Sequence, residues 1–437
     1  MKRRDFIKTT ALTGLALSAT PNFSFGAPQS KLRLGLIGVG LRGTNHLKNA
    51  LERDDIEIAA ICDIDPKRIK IAQEMISKAG QKRSRVFDSG EKAYRDLLMI
   101  RELDAVIIST PWLWHVPMAV DSMRAEKYTG IEVSGATSVE ETWELVRTHE
   151  ETGTHLMFLE NVNYRRDVMA VLRMVREGVF GELLQCEGGY QHDLRAIKFQ
   201  PGAEFGEKGI SEARWRTQHS IKRNGELYPT HGLGPVMTYL DINYGNRLTS
   251  LTSTATKARG LHNYVVEKGG MDHPNAKLKF KLGDIVTTVI TCANGEVIVL
   301  HHDTNLPRPY SLGFRVQGTK GLWMKDGNQI YLEGTSPKSH SWESSLPYLE
   351  KYDHPLWKKF EDRAAGTGHG GMDFFVLNDF VESAKANSAP PIDVYDAATM
   401  MVITPLSERS IAAGSEPQDI PDFTNGRWIN RNPVFAL

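Results

Sequence analysis

The sequence predicts an α/β chain of two domains. The first is a parallel sheet flanked by helices; the second is an α+β domain with a large open, mostly antiparallel sheet. Three observations carry this reading. Short apolar runs alternate with helical patterns from Lys31 to about residue 165. A glycine-rich turn, Gly38-Val39-Gly40-Leu41-Arg42-Gly43, closes the first of those runs. From about residue 182 the apolar residues recur at the two-residue period of half-solvated strands. At 437 residues the chain also exceeds what one ordinary core holds.

In chain order, the first expected element is a leader. MKRRDFIKTTALTGLALSATPNFSFGA has a basic start, a mild apolar stretch from Ala11 to Ala19, and then small residues. This layout predicts a signal peptide over residues 1–27. Its adjacent Arg3 and Arg4 resemble a twin-arginine signal. That route carries folded proteins, so it suits a protein loaded with cofactor before export to a periplasmic or secreted location. The apolar stretch is too short to span a bilayer, so no stable membrane insertion is expected.

The first domain is expected over residues 31–165. Leu32, Leu34, Leu36 and Ile37 make a buried parallel strand. The turn after it has the dinucleotide-binding spacing: Gly38 for the tight bend, Gly40 for close approach of a pyrophosphate, Gly43 for helix–strand packing. IEIAAICDID is a second strand ending at Asp63, about 20 residues on, where a carboxylate bonds ribose hydroxyls and repels a 2′-phosphate. The reading is therefore a Rossmann domain that takes NAD. LDAVIIST (103–110) is a further strand; His115 follows where its loop meets the nicotinamide-ribose side, with Trp112 and Trp114 beside it in either a structural or a functional role. KYTGIEVSGATSVEETWELV places Glu132 at another strand end, and THLMFLENVNYRRD places Glu160 and Asn161 likewise. Ligands sit at the carboxyl ends of such strands.

The second domain is expected over residues 166–437. GELLQCEGGYQHD reads as a strand that ends at Tyr190, Gln191, His192 and Asp193. A loop-rich region runs to about residue 227, then GELYPTHGLGP (225–235) forms a loop carrying Tyr228 and His231, and GPVMTYLDIN a helix. Alternating stretches follow, with a hairpin signal at ANGE. GMDFFVLNDFVESAKAN is a late amphipathic helix, and the reading ends in a polar, proline-containing tail.

Composition excludes several classes. Basic and acidic residues balance at 53 each, which argues against nucleic acid as a partner. No repeat of solenoid or propeller period occurs. Cys62, Cys186 and Cys292 are sparse and far apart, so neither a disulfide framework nor a zinc site is expected. His301 and His302 lack partners at ligand spacing, and no metal is expected. A tyrosine–histidine pair beside a nicotinamide suits proton removal from a sugar hydroxyl, which makes Tyr190, His192, Arg216, Tyr228, His231 and Tyr310 the candidate substrate side.

The glycine-rich turn, Asp63 and the two-domain pattern resemble the Gfo/Idh/MocA sugar oxidoreductases. Members of that family usually carry Glu-Lys-Pro after the fifth strand; here the residues are Glu132-Val133-Ser134, and the missing lysine argues against ordinary dehydrogenase action. The stretches FLENVNYRRDVMAVLRMVREGVFGE, GYQHDLR, EARWRTQHSIKRNGELYPTHGLGP, KARGLHNYVVEKGGMDHPNAK, DTNLPRPYSLGFRVQGT and KYDHPLW resemble glycoside hydrolase family 109 over nearly the whole mature chain. That resemblance implies an α-N-acetylgalactosaminidase with tightly held, recycled NAD and a glycan ending in α-N-acetylgalactosamine as substrate. It implies NAD positions at Leu41, Arg42, Asp63, Trp112 to His115, Glu132, Val133, Asn161 and Tyr228, and sugar positions at Glu160, Tyr190, Arg216, Tyr228, His231 and Tyr310. His231 with Tyr228 is the expected pair at carbon 3 of the sugar, and Tyr190 with His192 at carbon 2. Two other readings compete: a net NAD-dependent sugar dehydrogenase, and a non-catalytic NAD- and sugar-binding protein. The second sheet also offers a face for homo-oligomer formation.

Overall fold

The computed structural model describes residues 31–436, and the leader expected over 1–27 lies outside them. Two sheets organise the chain. The first contains β1 (Leu32–Ile37), β2 (Ile56–Cys62), β3 (Arg85–Phe87), β4 (Ala105–Ile108), β5 (Tyr128–Ile131) and β6 (Leu156–Phe158) in the order β3-β2-β1-β4-β5-β6. Every neighbouring pair is parallel, and β1, β4, β5 and β6 are almost wholly buried. This is why their sequences are continuous apolar runs rather than alternating ones. The order reverses between β1 and β4, the crevice where doubly wound sheets bind ligands. The edge strand β3 escapes sequence reading because its three residues, Arg85, Val86 and Phe87, are mostly solvated and carry no period.

The second sheet has nine strands: β7 (Leu183–Gln191), β8 (Leu248–Ala255), β9 (Ile285–Cys292), β10 (Val297–Asp303), β11 (Arg315–Gly318), β12 (Gly321–Met324), β13 (Gln329–Leu332), β14 (Glu343–Ser344) and β15 (Gln418–Asp419). Their order is β14-β13-β12-β11-β7-β10-β9-β8-β15. All pairs are antiparallel except β7 with β10, which puts His302 beside Tyr190 in register. The ANGE turn joins β9 and β10 as the hairpin its chemistry predicts. One face alternates inward, as in Val286, Thr288, Ile290 and Cys292 of β9, and packs under helices; the other is open.

Two sequence expectations are corrected. The histidine of YPTHG does not sit in a loop: the helix runs Thr230–Tyr239, so His231 lies in its first turn. Its glycines serve contact, not loop freedom. A Cβ on Gly232 would lie 2.2 Å from Gly189 N, and one on Gly188 would lie 2.3 Å from Gly232 O. Helix and β7 therefore touch backbone to backbone. The expected polar tail likewise contains two helices. Asp393 caps Val394–Met401 with a reciprocal capping box, and Ile403–Ala412 follows. Both present buried apolar faces, which the neighbouring prolines and charges conceal in the sequence.

These C-terminal segments return to the first sheet. Phe158 N donates to Ile392 O at 3.0 Å, and a Cβ on Gly130 would meet Phe380 at 2.8 Å. One continuous apolar cluster runs through both sheets.

Candidate active site

The dinucleotide side is built from β1 and the helix Leu41–Leu51. Gly38 adopts φ +87°, and a Cβ there would lie 2.7 Å from Ser109 O. A Cβ on Gly43 would lie 2.0 Å from Gly38 O, so only glycine lets this helix start against the strand. By contrast, a Cβ on Gly40 meets nothing within 4 Å: the space before the helix N-terminus is open. That helix has no side-chain cap. Open space, uncapped N–H groups and the helix dipole together fit a diphosphate.

Asp63, at the end of β2, accepts hydrogen bonds from Val39 N (2.8 Å) and Asp65 N (2.9 Å). It thus ties the glycine turn to the second strand with lone pairs to spare for a ribose. Arg42 reaches across to Glu132: Nε donates to Oε1 at 2.6 Å. His46 Nε2 shares that oxygen at 2.6 Å, and Val133 N donates to Oε2 at 3.1 Å. Burial opposes charge on Glu132, but the Arg42 guanidinium and the His46 hydrogen bond hold its carboxyl well below the usual range. Asn161 Nδ2 donates to Asp373 Oδ1 at 2.9 Å. His115 is buried, with Nδ1 2.9 Å from Ser134 O and Nε2 2.7 Å from Thr110 O. Its ring thus bridges the loop tips after β4 and β5. Leu41 is exposed at the start of the helix.

The substrate side is an aromatic cluster. Tyr190, at the end of β7, lies 4.3 Å from the Tyr228 ring and 5.6 Å from the His231 ring, centroid to centroid. The Gly188–Gly232 contact is what brings them together. His231 Nδ1 lies 2.7 and 2.9 Å from the two oxygens of Glu160, which is wholly buried at the end of β6. An ionised carboxylate only accepts, so Nδ1 donates and Nε2 keeps its lone pair. Tyr190 OH is 3.1 Å from His192 Nδ1. Burial pushes Tyr190 up to about 12 and Tyr228 well above the usual phenol value. Burial, with help from the Arg216 charge, lowers His192. Tyr310 stands 48% exposed at the mouth, its ring 4.8 Å from His192.

Arg216 is sandwiched by rings: its guanidinium carbon is 4.7 Å from the Trp112 centroid, 5.2 Å from Trp215 and 5.6 Å from Tyr228. Nε donates to Glu212 at 2.5 Å. Such stacking fixes a guanidinium better than an ammonium. Trp112 thereby links the cofactor strand loop to the substrate cluster.

A cavity of about 780 Å³ is bounded by Tyr190, His192, His231 and Tyr310 on one side and by Arg165, Lys325, His369 and Met372 on another. Sequence reading brought most of this set forward but missed His46, His369 and Asp373. His369 lies inside a run, GTGHGG, whose glycines were the available signal for it, and Asp373 follows two residues later. Among the described residues no group of three or more His, Cys, Asp or Glu is arranged to hold a metal ion.

Beneath the cluster lies Glu226, wholly buried, accepting from Tyr228 N at 3.2 Å while Oε2 has no partner among the described residues. Burial raises its carboxyl from the ordinary 4.5 up to about 8. Between those values the folded chain keeps a proton that the unfolded chain has lost. Stability contributed here is therefore greatest below the lower value and falls as pH rises through the window. Glu226→Gln is expected to flatten the fall in melting temperature between pH 5 and 8; an unchanged slope would contradict the assignment.

A phosphate-ready glycine turn joined to an aromatic, proton-handling cavity defines an NAD-binding protein of the oxidoreductase type. Residues 32–159 match the oxidoreductase family with an NAD-binding Rossmann fold, and residues 164–430 match the glycosyl hydrolase 109 C-terminal domain. The chain is 52% identical over 449 residues to a glycosyl hydrolase family 109 protein of Stenotrophomonas maltophilia, covering 100% of this chain and 98% of that one. It is 49% identical over 465 residues to an alpha-N-acetylgalactosaminidase of Tannerella forsythia, covering 100% and 99%. The chain belongs to glycosyl hydrolase family 109. Its fold is also that of levoglucosan dehydrogenase, solved with NADH and levoglucosan: TM-score 0.67, 20% identity, 90% of this chain and 100% of that one.

Proposed function

We propose that this protein is an α-N-acetylgalactosaminidase that cleaves terminal α-N-acetylgalactosamine from glycans with NAD retained through the cycle. The observation that carries the reading is the His231–Glu160 pair, held at 2.7 Å within a tyrosine cluster that Trp112 joins to the loop after β4. The turn Gly38–Gly43, Asp63, Arg42 and Asn161 would hold NAD, which supplies a hydride acceptor that is restored within each turnover.

The chain's own groups handle the protons. His231 Nε2, its ring oriented by Glu160, takes the proton of the carbon-3 hydroxyl as that carbon becomes a ketone. Tyr228 stays protonated because burial raises it, and donates a hydrogen bond at the same oxygen. The ketone acidifies the hydrogen on carbon 2. Tyr190 serves there as a relay: its OH passes its proton to neutral His192 Nδ1, 3.1 Å away, as it takes the carbon-2 proton. The anomeric group then leaves, water adds at carbon 1, and the same groups return the protons. This differs from hydrolysis by two carboxylates, to which NAD-dependent glycosidases are an exception.

Turnover in D₂O tests the reading: the released sugar is expected to carry deuterium at carbon 2, and a product without it would sink the scheme. Tyr190→Phe is expected to slow turnover by on the order of 10²–10⁴-fold while leaving bound NAD unchanged, measured by steady-state hydrolysis and nucleotide release. Wild-type rates would remove Tyr190 from the relay. Export through the leader of residues 1–27, and self-association through the open face of the nine-stranded sheet, are part of this proposal. The first rests on the Arg3-Arg4 pattern, and cell fractionation tests it.

A further inference from the structure

One buried cluster has no part in the proton chemistry above. Asp373 lies in the first turn of the helix Met372–Ala386, and no part of its side chain reaches solvent. It comes from the C-terminal part of the chain, yet its Oδ2 accepts from Arg42 Nη1 in the dinucleotide turn at 2.8 Å. Oδ1 accepts from Asn161 Nδ2 at 2.9 Å, and His369 Nδ1 lies 2.8 Å from Oδ2. Burial opposes charge on Asp373, but the His369 hydrogen bond and the Arg42 charge hold its carboxyl well below the usual range.

The segment before it is shaped around this carboxylate. Gly366, Gly368, Gly370 and Gly371 take φ of +82°, +104°, +68° and +98°, and His369 between them takes +45°. A Cβ on Gly368 would lie 2.8 Å from Asp373 Oδ2, and one on Gly371 would lie 2.8 Å from Trp357. A side chain at position 368 would push the wrap off the carboxylate. Arg42 is thus pinned at Nε by Glu132 and at Nη1 by Asp373, while Nη2 is buried with no partner among the described residues. A buried guanidinium N–H left free beside an open phosphate cradle is a donor waiting for an acceptor.

We infer that Asp373 is a positioning residue for the cofactor: it fixes the Arg42 fork so that Nη2 meets an oxygen of bound NAD, and the 366–371 wrap makes the C-terminal domain a clasp on the nucleotide. This rests on NAD binding, not on the glycosidase reading. A fixed fork loses less freedom on binding than a free arginine, which favours retention over exchange. Retention is what a cofactor restored at each turnover requires.

The test compares full-length wild type, Asp373→Asn and Arg42→Lys. The asparagine keeps shape and the acceptor for Asn161 but loses the charge on Arg42; the lysine keeps charge but has no fork. After exhaustive dialysis, NAD per protomer is measured by heat release and chromatography, and NAD is titrated back by calorimetry. Wild type is expected to retain NAD. Both variants are expected to lose it and to rebind it on the order of 10–100-fold more weakly. Their NAD-free forms melt lower than wild type, because a buried charge loses a partner, but remain folded at the temperature of the titration. Hydrolysis by Asp373→Asn should then return on adding excess NAD. Wild-type NAD retention in either variant would overturn the clasp, as would a loss of NAD confined to temperatures at which the NAD-free variant has begun to unfold. Should wild type hold NAD but cleave no glycoside, the glycosidase reading fails and the retention comparison still decides this one.

Discussion

His231→Ala is expected to lower hydrolysis of an α-N-acetylgalactosaminide by on the order of 10²–10⁴-fold, with substrate KM little changed and NAD still bound. The expectation follows from one geometry. Glu160 is wholly buried, and its charge is offset by the hydrogen bond from His231 Nδ1 at 2.7 Å. The carboxylate fixes the ring and leaves Nε2 as the acceptor. Alanine removes that acceptor and strands a buried carboxylate, so the variant also loses some stability. Melting temperature is therefore measured alongside kcat. A stable variant with wild-type kcat would remove His231 from the chemistry.

Gly232→Ala is expected to give the largest structural effect of any single methyl in this region. The new Cβ would lie 2.2 Å from Gly189 N and 2.6 Å from Gly189 Cα, both backbone atoms that cannot swing aside. The helix Thr230–Tyr239 must then move off β7. Overpacking costs about 1–3 kcal/mol where side chains can adjust, and here only backbone is available, so the upper end applies. The shift also separates Tyr190 from Tyr228 and His231, whose ring centroids are 4.3 and 5.6 Å away. Activity should fall at least tenfold at temperatures where the variant is folded. Gly245→Ala is the contrast for stability alone, since its Cβ meets nothing within 4 Å, although its φ of +106° carries a strain of its own. If Gly232→Ala melts and turns over like wild type, the glycine contact does not set the site.

The legible part of this fold follows physical cause. The strands of the first sheet are buried on both faces, so their apolar runs announce them, and the turn after β1 needs glycines for reasons that sequence spacing records. The strand ends at Asp63, Glu132 and Glu160 could likewise be placed, because a parallel sheet gathers its ligands at one edge. What sequence spacing conceals is contact between distant segments. His231 looks like a loop residue because Gly232 and Gly234 read as turn formers; their actual work is close packing against Gly189 and Asn163. Asp373 is 331 residues from Arg42, and nothing in its local pattern distinguishes it from an ordinary first-turn aspartate. The two final helices were hidden by Pro405 and by polar caps, although the apolar faces behind those caps are buried.

The central claim is that NAD held by this chain is used and restored within each hydrolytic turnover. The direct measurement incubates purified mature protein, with no NAD added, with p-nitrophenyl α-N-acetylgalactosaminide. Nitrophenol is followed at about 405 nm and NADH at about 340 nm, both free-solution absorbance bands. The account predicts many nitrophenols per protomer with no net NADH. Accumulation of NADH in step with product, or no nitrophenol from protein shown to contain NAD, would contradict it.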